Sequence, residues 1–134
     1  MRFSTKTGYG LRAMIKLAEN YGDKPYSLHK LAKEENISLA YLERLVAKLK
    51  RAELVQSAKG AKGGYKLAKH PKNIKLFDIF ETLEGPIIPY VCAISKPDFC
   101  KSKKCHSQKV WLKLHKAICS TLENTSLSDI IKAG

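Results

Sequence analysis

The chain has 134 residues and a formal net charge of +13, enough length for one domain with a modest core plus an appendage. It contains no long apolar run, apolar leader core or lipidation signal, so we expect a cytoplasmic protein that does not bind a membrane. Residues 1–75 hold 17 Lys and Arg against 6 Asp and Glu, and residues 76–134 hold 8 against 6. This basic excess in the first half predicts a nucleic-acid partner.

A helix is predicted from about Ser4 to Tyr21, because apolar residues recur there at helical spacing. Two shorter helices follow, with Ser27 and Ser38 as their capping residues. Two short helices joined by a tight polar turn make a helix-turn-helix, and the second of them is the recognition helix.

The predicted recognition helix, 38–50, has two distinct sides. Its apolar stripe consists of Leu39, Leu42, Leu45, Val46 and Leu49. On the opposite side lie Ala40, Arg44, Ala47 and Arg51, flanked by Tyr41 and Glu43. Small side chains let another surface approach the backbone, and arginines supply hydrogen-bond donors. A helix that lies in the DNA major groove needs both features, although a solvated amphipathic helix shows the same pattern.

Two strand-like runs, 54–57 and 64–67, surround a glycine-rich basic connector. The connector, 58–63, contains Lys59 and Lys62, and its glycines suit the positive φ angles of a tight turn. A hairpin after a recognition helix is a wing, whose basic tip can contact phosphates or enter a minor groove. A phosphate-binding P-loop is excluded, because the GK[ST] ending and the following helix are missing.

A further helix is predicted from Lys75 to Glu84, and periodicity then disappears until about Ser107. This aperiodic segment contains Cys92, Cys100 and Cys105, separated by seven and four residues, with Lys101, Lys103 and Lys104 between them. Nearby lysines lower thiol pKa values. The spacing alone leaves four readings open: an iron–sulfur cluster, zinc, thiol redox sensing and no chemistry.

A long amphipathic helix is predicted from Lys109 to Leu122. Its mainly apolar stripe consists of Val110, Leu114, Ala117, Ile118, Thr121 and Leu122, widened by Trp111 and Leu112. One small winged domain cannot cover so much apolar surface, so we expect this helix to pair with its twin in a homodimer. Ser126 is predicted to cap a last short helix.

The stretch ISLAYLERLVAKLKRAELVQSAKGAKGGYKLAKHP, together with MRFSTKTGYGLRAMIKLA before it and KLFDIFETLEGP after it, resembles the Rrf2 family of bacterial winged-helix regulators. The resemblance runs along the whole chain, and GAKGGYKLA is its most specific part. It implies a homodimeric transcription factor, expected to be a repressor, that binds double-stranded DNA at a pseudo-palindromic operator.

The resemblance also implies roles for individual residues. Tyr41, Glu43 and Arg44 occupy positions where relatives contact base edges, and Lys59 occupies the position that probes the minor groove. The full set of candidate DNA-contacting residues is Ser38, Ala40, Tyr41, Glu43, Arg44, Lys48, Lys59 and Lys62.

Relatives with a similarly placed three-cysteine loop bind an iron–sulfur cluster. The resemblance therefore implies a 2Fe-2S or 4Fe-4S cluster held by Cys92, Cys100 and Cys105, with His106 as a candidate fourth ligand. Some relatives supply an acidic ligand near position 8, where this chain has Gly8 followed by Tyr9.

The expected fold is mainly α with a small β-hairpin wing: a winged helix-turn-helix plus a long C-terminal dimerisation helix. The expected divisions are a DNA-binding domain at 1–85, a cysteine-containing sensor loop at 86–107, and the dimerisation and C-terminal helices at 108–134. The expected function is transcriptional regulation in response to iron–sulfur, redox or nitric oxide status. The alternative is a cluster-free regulator or interaction module controlled by a partner protein, a small molecule or thiol redox state. An enzyme is not expected, because a nucleophile–base signature and a CxxC pair are absent.

Overall fold

A computed structural model describes residues 2–58, 63–93 and 105–133. In these ranges the protein is mainly helical with one antiparallel hairpin, which confirms the predicted fold class. The elements are α1 (Thr5–Glu19), α2 (Leu28–Glu35), α3 (Leu39–Arg51), β1 (Val55–Ala58), β2 (Gly64–Leu67), α4 (Leu76–Glu84), α5 (His106–Glu123) and α6 (Leu127–Ala133). Short 3₁₀ helices occur at Pro71–Asn73 and Val91–Ala93. No helix in the described ranges is long and apolar enough to cross a bilayer.

The helix-turn-helix is set by local capping. The Ser27 hydroxyl accepts a hydrogen bond from the backbone N–H of Lys30 (3.3 Å), and the Ser38 hydroxyl accepts one from that of Tyr41 (3.1 Å). Each cap satisfies one donor left free at a helix N-terminus. Between them Asn36 ends α2 in the left-handed conformation, with φ of 54°. Both predicted caps are therefore confirmed, and they fix where α3 begins.

The apolar side of α3 lies at the centre of the core. Leu42, Leu45, Val46 and Leu49 are at most 2% exposed, and Leu39 is partly buried against the same cluster. They pack with buried residues of the neighbouring helices: Met14, Leu17, Leu31, Ile79 and Leu83. Because α3 is anchored along its whole length, its opposite side is held rigidly toward solvent.

The wing is joined to the helix-turn-helix by backbone hydrogen bonds. Strands β1 and β2 pair in the register Val55↔Leu67, and Tyr65 also exchanges backbone hydrogen bonds with Tyr26, just before α2 (2.8 and 2.9 Å). A Cβ at Gly64 would overlap the backbone carbonyl of Tyr26, so only glycine permits this close approach.

The chain returns to the winged domain (α1 to α4) after α5. Ser126 and Asp129 form a capping box at α6, with hydrogen bonds of 2.9 and 3.1 Å. Leu127 is fully buried in the core, and α6 packs against α1. The predicted cap is confirmed. The predicted division into domains at residues 85 and 107 stays a prediction. Helix α6, which that division groups with the dimerisation helix, packs in the same core as α1.

Two predicted helix boundaries differ from the observed ones by more than one residue. Helix α1 ends at Glu19, and Tyr21 is 45% exposed and packs edge-on against His70. Tyr21 therefore does not belong to the buried stripe of α1. Helix α5 begins at His106, three residues before the predicted start at Lys109, and Cys105 occupies its N-cap position without a side-chain capping hydrogen bond.

Candidate nucleic-acid interface and sensor segment

The outward side of α3 presents the predicted DNA-contacting residues. Ala40, Glu43 and Arg44 are exposed, whereas Tyr41 and Lys48 are half-buried at one flank. Ser38 is exposed at the start of the helix, where its hydroxyl forms the cap. The remaining two predicted contacts, Lys59 and Lys62, lie outside the described residues.

The positive charge on this side of α3 is available to a partner. In the described parts of the chain, ion pairs involve only two basic residues, Arg12 with Glu35 (3.4 Å) and Lys30 with Glu34 (4.0 Å). The cations of Arg44 and Lys48 are therefore not neutralised by described acidic groups. An exposed helix with small side chains and free cations can enter a major groove and approach phosphates.

Tyr41 is held by contacts from the first helix. Its ring meets the ring of Tyr9 edge-on, with centroids 6.2 Å apart and an interplanar angle of 90°. The guanidinium of Arg12 lies over the same Tyr9 ring, 5.7 Å from its centroid. The sequence pattern alone does not indicate these contacts of Tyr9 and Arg12. Their three-residue spacing on one helix side was the only available signal.

The sensor segment is residues 86–107, the predicted cysteine-containing sensor loop, and its two described cysteines lie on elements that pack together. Cys92 belongs to the 3₁₀ helix Val91–Ala93, which packs against α5, and Cys105 immediately precedes α5. The side-chain amide of Gln108 donates a hydrogen bond to the backbone carbonyl of Cys92 (3.3 Å), which ties the two elements together. Cys100 lies outside the described residues.

Cys105 occupies a position that favours the thiolate. A hydrogen bond joins its Sγ to Ser107 Oγ (2.9 Å), and this bond lowers the pKa of the thiol. The backbone N–H groups of Gln108 and Ser107, in the first turn of α5, lower the pKa further. His106 is exposed in that same turn. In 2–58, 63–93 and 105–133, no three His, Cys, Asp or Glu side chains are grouped as a metal site.

Cys119 lies in a different environment from the other described cysteines. It lines an open groove of about 580 Å³ between α4 and α5, and its Sγ is 3.8 Å from Nε2 of His115. Partial burial raises the pKa of this thiol, and the nearby carboxylates of Glu123 and Glu81 raise it further. The raised pKa favours the protonated thiol, which suits a half-buried residue that packs in this groove.

Glu84 connects the base of the sensor segment to the start of α1. Its carboxylate accepts hydrogen bonds from the backbone N–H of Ser4 (3.0 Å) and from the hydroxyls of Ser4 and Thr7. Thr7 and Ser4 hold the pKa of this carboxyl below its ordinary value. The partners are 77 and 80 residues apart in sequence, so no local pattern indicates the contact.

Replacing Glu84 with glutamine should lower the free energy of unfolding by about 1 kcal/mol at neutral pH, because a charge-assisted cap is lost. The folded pKa of Glu84 is depressed, so its contribution is present above the ordinary pKa of 4.5 and is lost as pH falls through the folded value. Urea unfolding at several pH values would measure this. The control is Glu81→Gln on the exposed side of α4; equal effects of the two substitutions would contradict the assignment.

Comparison with known proteins decides the family. The family model Rrf2, described as an iron-dependent transcriptional regulator, matches residues 3–133. The chain belongs to the Rrf2 family. It is 38% identical over 130 residues to the transcriptional regulator CymR of Bacillus subtilis, covering 97% of this chain and 89% of CymR.

Solved structures of Rrf2 relatives share the fold. The structure of CymR, described as the global cysteine regulator of B. subtilis, superposes with a TM-score of 0.85 at 36% identity and covers 100% of this chain and 98% of CymR. IscR of T. potens superposes with a TM-score of 0.79 at 39% identity, covering 99% and 88% of the two chains. The chain is thus an Rrf2-type transcriptional regulator that binds DNA, and not an enzyme.

Proposed function

We propose that this Rrf2 regulator is a homodimer that binds a two-half-site operator through α3, and that the state of Cys92, Cys100 and Cys105 controls this binding. The observation that carries the proposal is the outward side of α3, where Ala40 and Arg44 are exposed beside a rigid core. A small side chain that permits close approach, beside an exposed arginine that can donate hydrogen bonds, is typical of a helix that binds in a major groove, more than of a helix that only faces solvent. Glu43 and Tyr41 flank it as the candidate contacts to base edges.

The dimer proposal rests on how α5 divides its apolar residues. Ile118 and Leu122 pack on the chain's own core, and the Trp111 ring packs at a tilt against the Tyr90 ring, with centroids 4.9 Å apart. Val110 and Leu114, one turn apart on an adjacent side, are 61% and 42% exposed. Large apolar side chains exposed in a row indicate a protein contact. A twofold axis beside α5 would cover them with the same residues of a second copy.

The three thiols of the sensor segment suit an iron–sulfur cluster. Thiolates are the usual ligands of such clusters, and the hydrogen bonds to Cys105 favour its thiolate form. Cys92, Cys100 and Cys105 would hold the group, and exposed His106 remains the candidate fourth ligand. When bound, a cluster supplies reversible electron transfer and reactivity toward oxygen and nitric oxide.

The chain's own residues provide the link from these thiols to DNA. The sensor segment joins α4, which packs on α1 and α3, to α5, which carries the proposed dimer contact. A change in the order of this segment would alter the angle between α4 and α5. The spacing of the two α3 helices in a dimer would then change relative to half-sites about one helical turn apart.

A second candidate is control by thiol oxidation without a cluster. It is favoured by the depressed pKa of Cys105, because thiolates are the reactive form of cysteine. In this case Cys105 would form a disulfide or mixed disulfide in response to an oxidant. Control by a partner protein or small molecule is the remaining cluster-free alternative.

Anaerobic purification tests the cluster proposal directly. We expect coloured protein with bound iron and sulfide, and loss of both when Cys92, Cys100 or Cys105 is replaced by serine. The control Cys119→Ser should keep wild-type iron content, because Cys119 lies in the separate groove between α4 and α5. Colourless, iron-free wild-type protein that still binds its operator would contradict the cluster proposal and support cluster-free control.

A further inference from the structure

We infer that Tyr9 and Arg12 are positioning residues, which orient the side chain of Tyr41 and thereby set how sharply the protein discriminates between DNA sequences. The inference rests on the proposed role of Tyr41 as a base contact. It assigns a specificity role to α1, a helix that otherwise packs beneath the helix-turn-helix.

Tyr41 stands where orientation matters most. It is the third residue of α3, and recognition helices contact bases with their N-terminal residues. Its backbone N–H is fixed by the Ser38 cap (3.1 Å), whereas its hydroxyl forms no hydrogen bond to the described residues. The phenol is therefore free to meet a base edge, and its direction depends on ring packing alone.

Ring packing comes from Tyr9 in α1. The perpendicular arrangement, with centroids 6.2 Å apart, is a favourable geometry for two aromatic rings. Tyr9 and Tyr41 lie on different helices, so this contact limits rotation of the Tyr41 ring relative to the whole domain. Removal of the Tyr9 ring would leave Tyr41 free to adopt other rotamers.

Arg12 in turn restrains Tyr9. Its guanidinium lies 5.7 Å from the Tyr9 ring centroid and pairs with Glu35 at the end of α2 (3.4 Å). The Arg12 side chain is 60% exposed, so the ion pair adds little stability by itself. Its consequence is geometric: Glu35, Arg12, Tyr9 and Tyr41 form one continuous contact across α2, α1 and α3.

The test uses a duplex selected from a random-sequence library by the wild-type protein, and the same duplex with both half-sites scrambled. Discrimination is measured as the dissociation constant for the scrambled duplex divided by that for the selected duplex, so a lower ratio means weaker discrimination. Tyr9→Leu should lower this ratio by roughly three- to tenfold, while affinity for scrambled DNA stays within about twofold because Tyr9 is uncharged. Tyr9→Phe retains the ring and should restore the wild-type ratio.

A second pair of variants separates the proposed role of Arg12 from the simple loss of a positive charge. Arg12→Gln should lower the ratio in the same direction as Tyr9→Leu, whereas Lys6→Gln removes the same charge from an exposed position on α1 and should leave the ratio unchanged. Thermal unfolding of each variant verifies that it is folded at the assay temperature.

Three outcomes overturn the inference. Equal losses for selected and scrambled DNA in Tyr9→Leu would show that Tyr9 acts only on stability. An unchanged ratio in Tyr41→Ala, alongside a lowered ratio in Arg44→Ala, would remove the role of Tyr41 but leave the proposed function standing. Failure of the wild type to select any sequence would remove both the proposed function and this inference.

Discussion

Replacing Val110 and Leu114 together with glutamate is expected to make the protein monomeric and to lower its operator affinity by about 10²- to 10³-fold. Both side chains are large, apolar and exposed on one side of α5. Two carboxylates there would have to be desolvated in a dimer contact. Without the second subunit, binding loses the gain that comes from engaging two half-sites at once.

Analytical ultracentrifugation would measure the oligomeric state, and a gel-shift titration would measure the affinity for the operator. The matched control carries the same added charge elsewhere on α5: Leu112→Glu with Ser120→Glu. Leu112 is 39% exposed, but lies on a different side of the helix. A dimeric Val110/Leu114 variant, or a control pair that dissociates equally, would contradict the proposed dimer contact.

Replacing Arg44 with alanine is expected to lower affinity for the selected operator by roughly tenfold per half-site, and by about a hundredfold in the dimer. A bidentate arginine contact to guanine contributes about 1–3 kcal/mol of discrimination. Arg44 is exposed and not ion-paired with any described residue, so DNA would be its principal partner. Affinity for scrambled DNA should fall much less, because one of many charges is lost.

Arg51 is the natural comparison, because it is an exposed arginine on the same side of α3, two turns further along. Replacing Arg51 with alanine should weaken binding to the selected and the scrambled duplex by about the same factor, as expected for a residue that contributes only charge. Identical behaviour of Arg44→Ala and Arg51→Ala in competition binding would contradict the assignment of Arg44 as a base contact.

Local features of the fold were predictable from sequence because their causes are local. The caps at Ser27, Ser38 and Ser126 each involve a side chain and a backbone group three residues away. The periodic apolar stripe of α3 and the glycine-bounded hairpin are also encoded within a few residues. For the same reason the outward side of α3 could be identified before the structure.

The contacts that connect the candidate site to the rest of the chain were not predictable. Glu84 meets Ser4 across 80 residues, and Tyr9 meets Tyr41 only because α1 packs on α3. The apolar residues of α5 formed one broad stripe in sequence. In the structure this stripe has a buried part and an exposed part: Leu122 is covered by the chain's own core, whereas Val110 is exposed. Periodicity does not specify which side of a helix a neighbouring element covers.

Salt dependence of operator binding tests most directly whether the basic side of this protein lies along a double helix. If about six phosphates are contacted, log K plotted against log salt concentration should have a slope of roughly −5 for wild-type protein and its selected duplex. The account predicts this steep slope. A slope near zero would contradict it, because binding would then not depend on the exposed cations that the outward side of α3 carries.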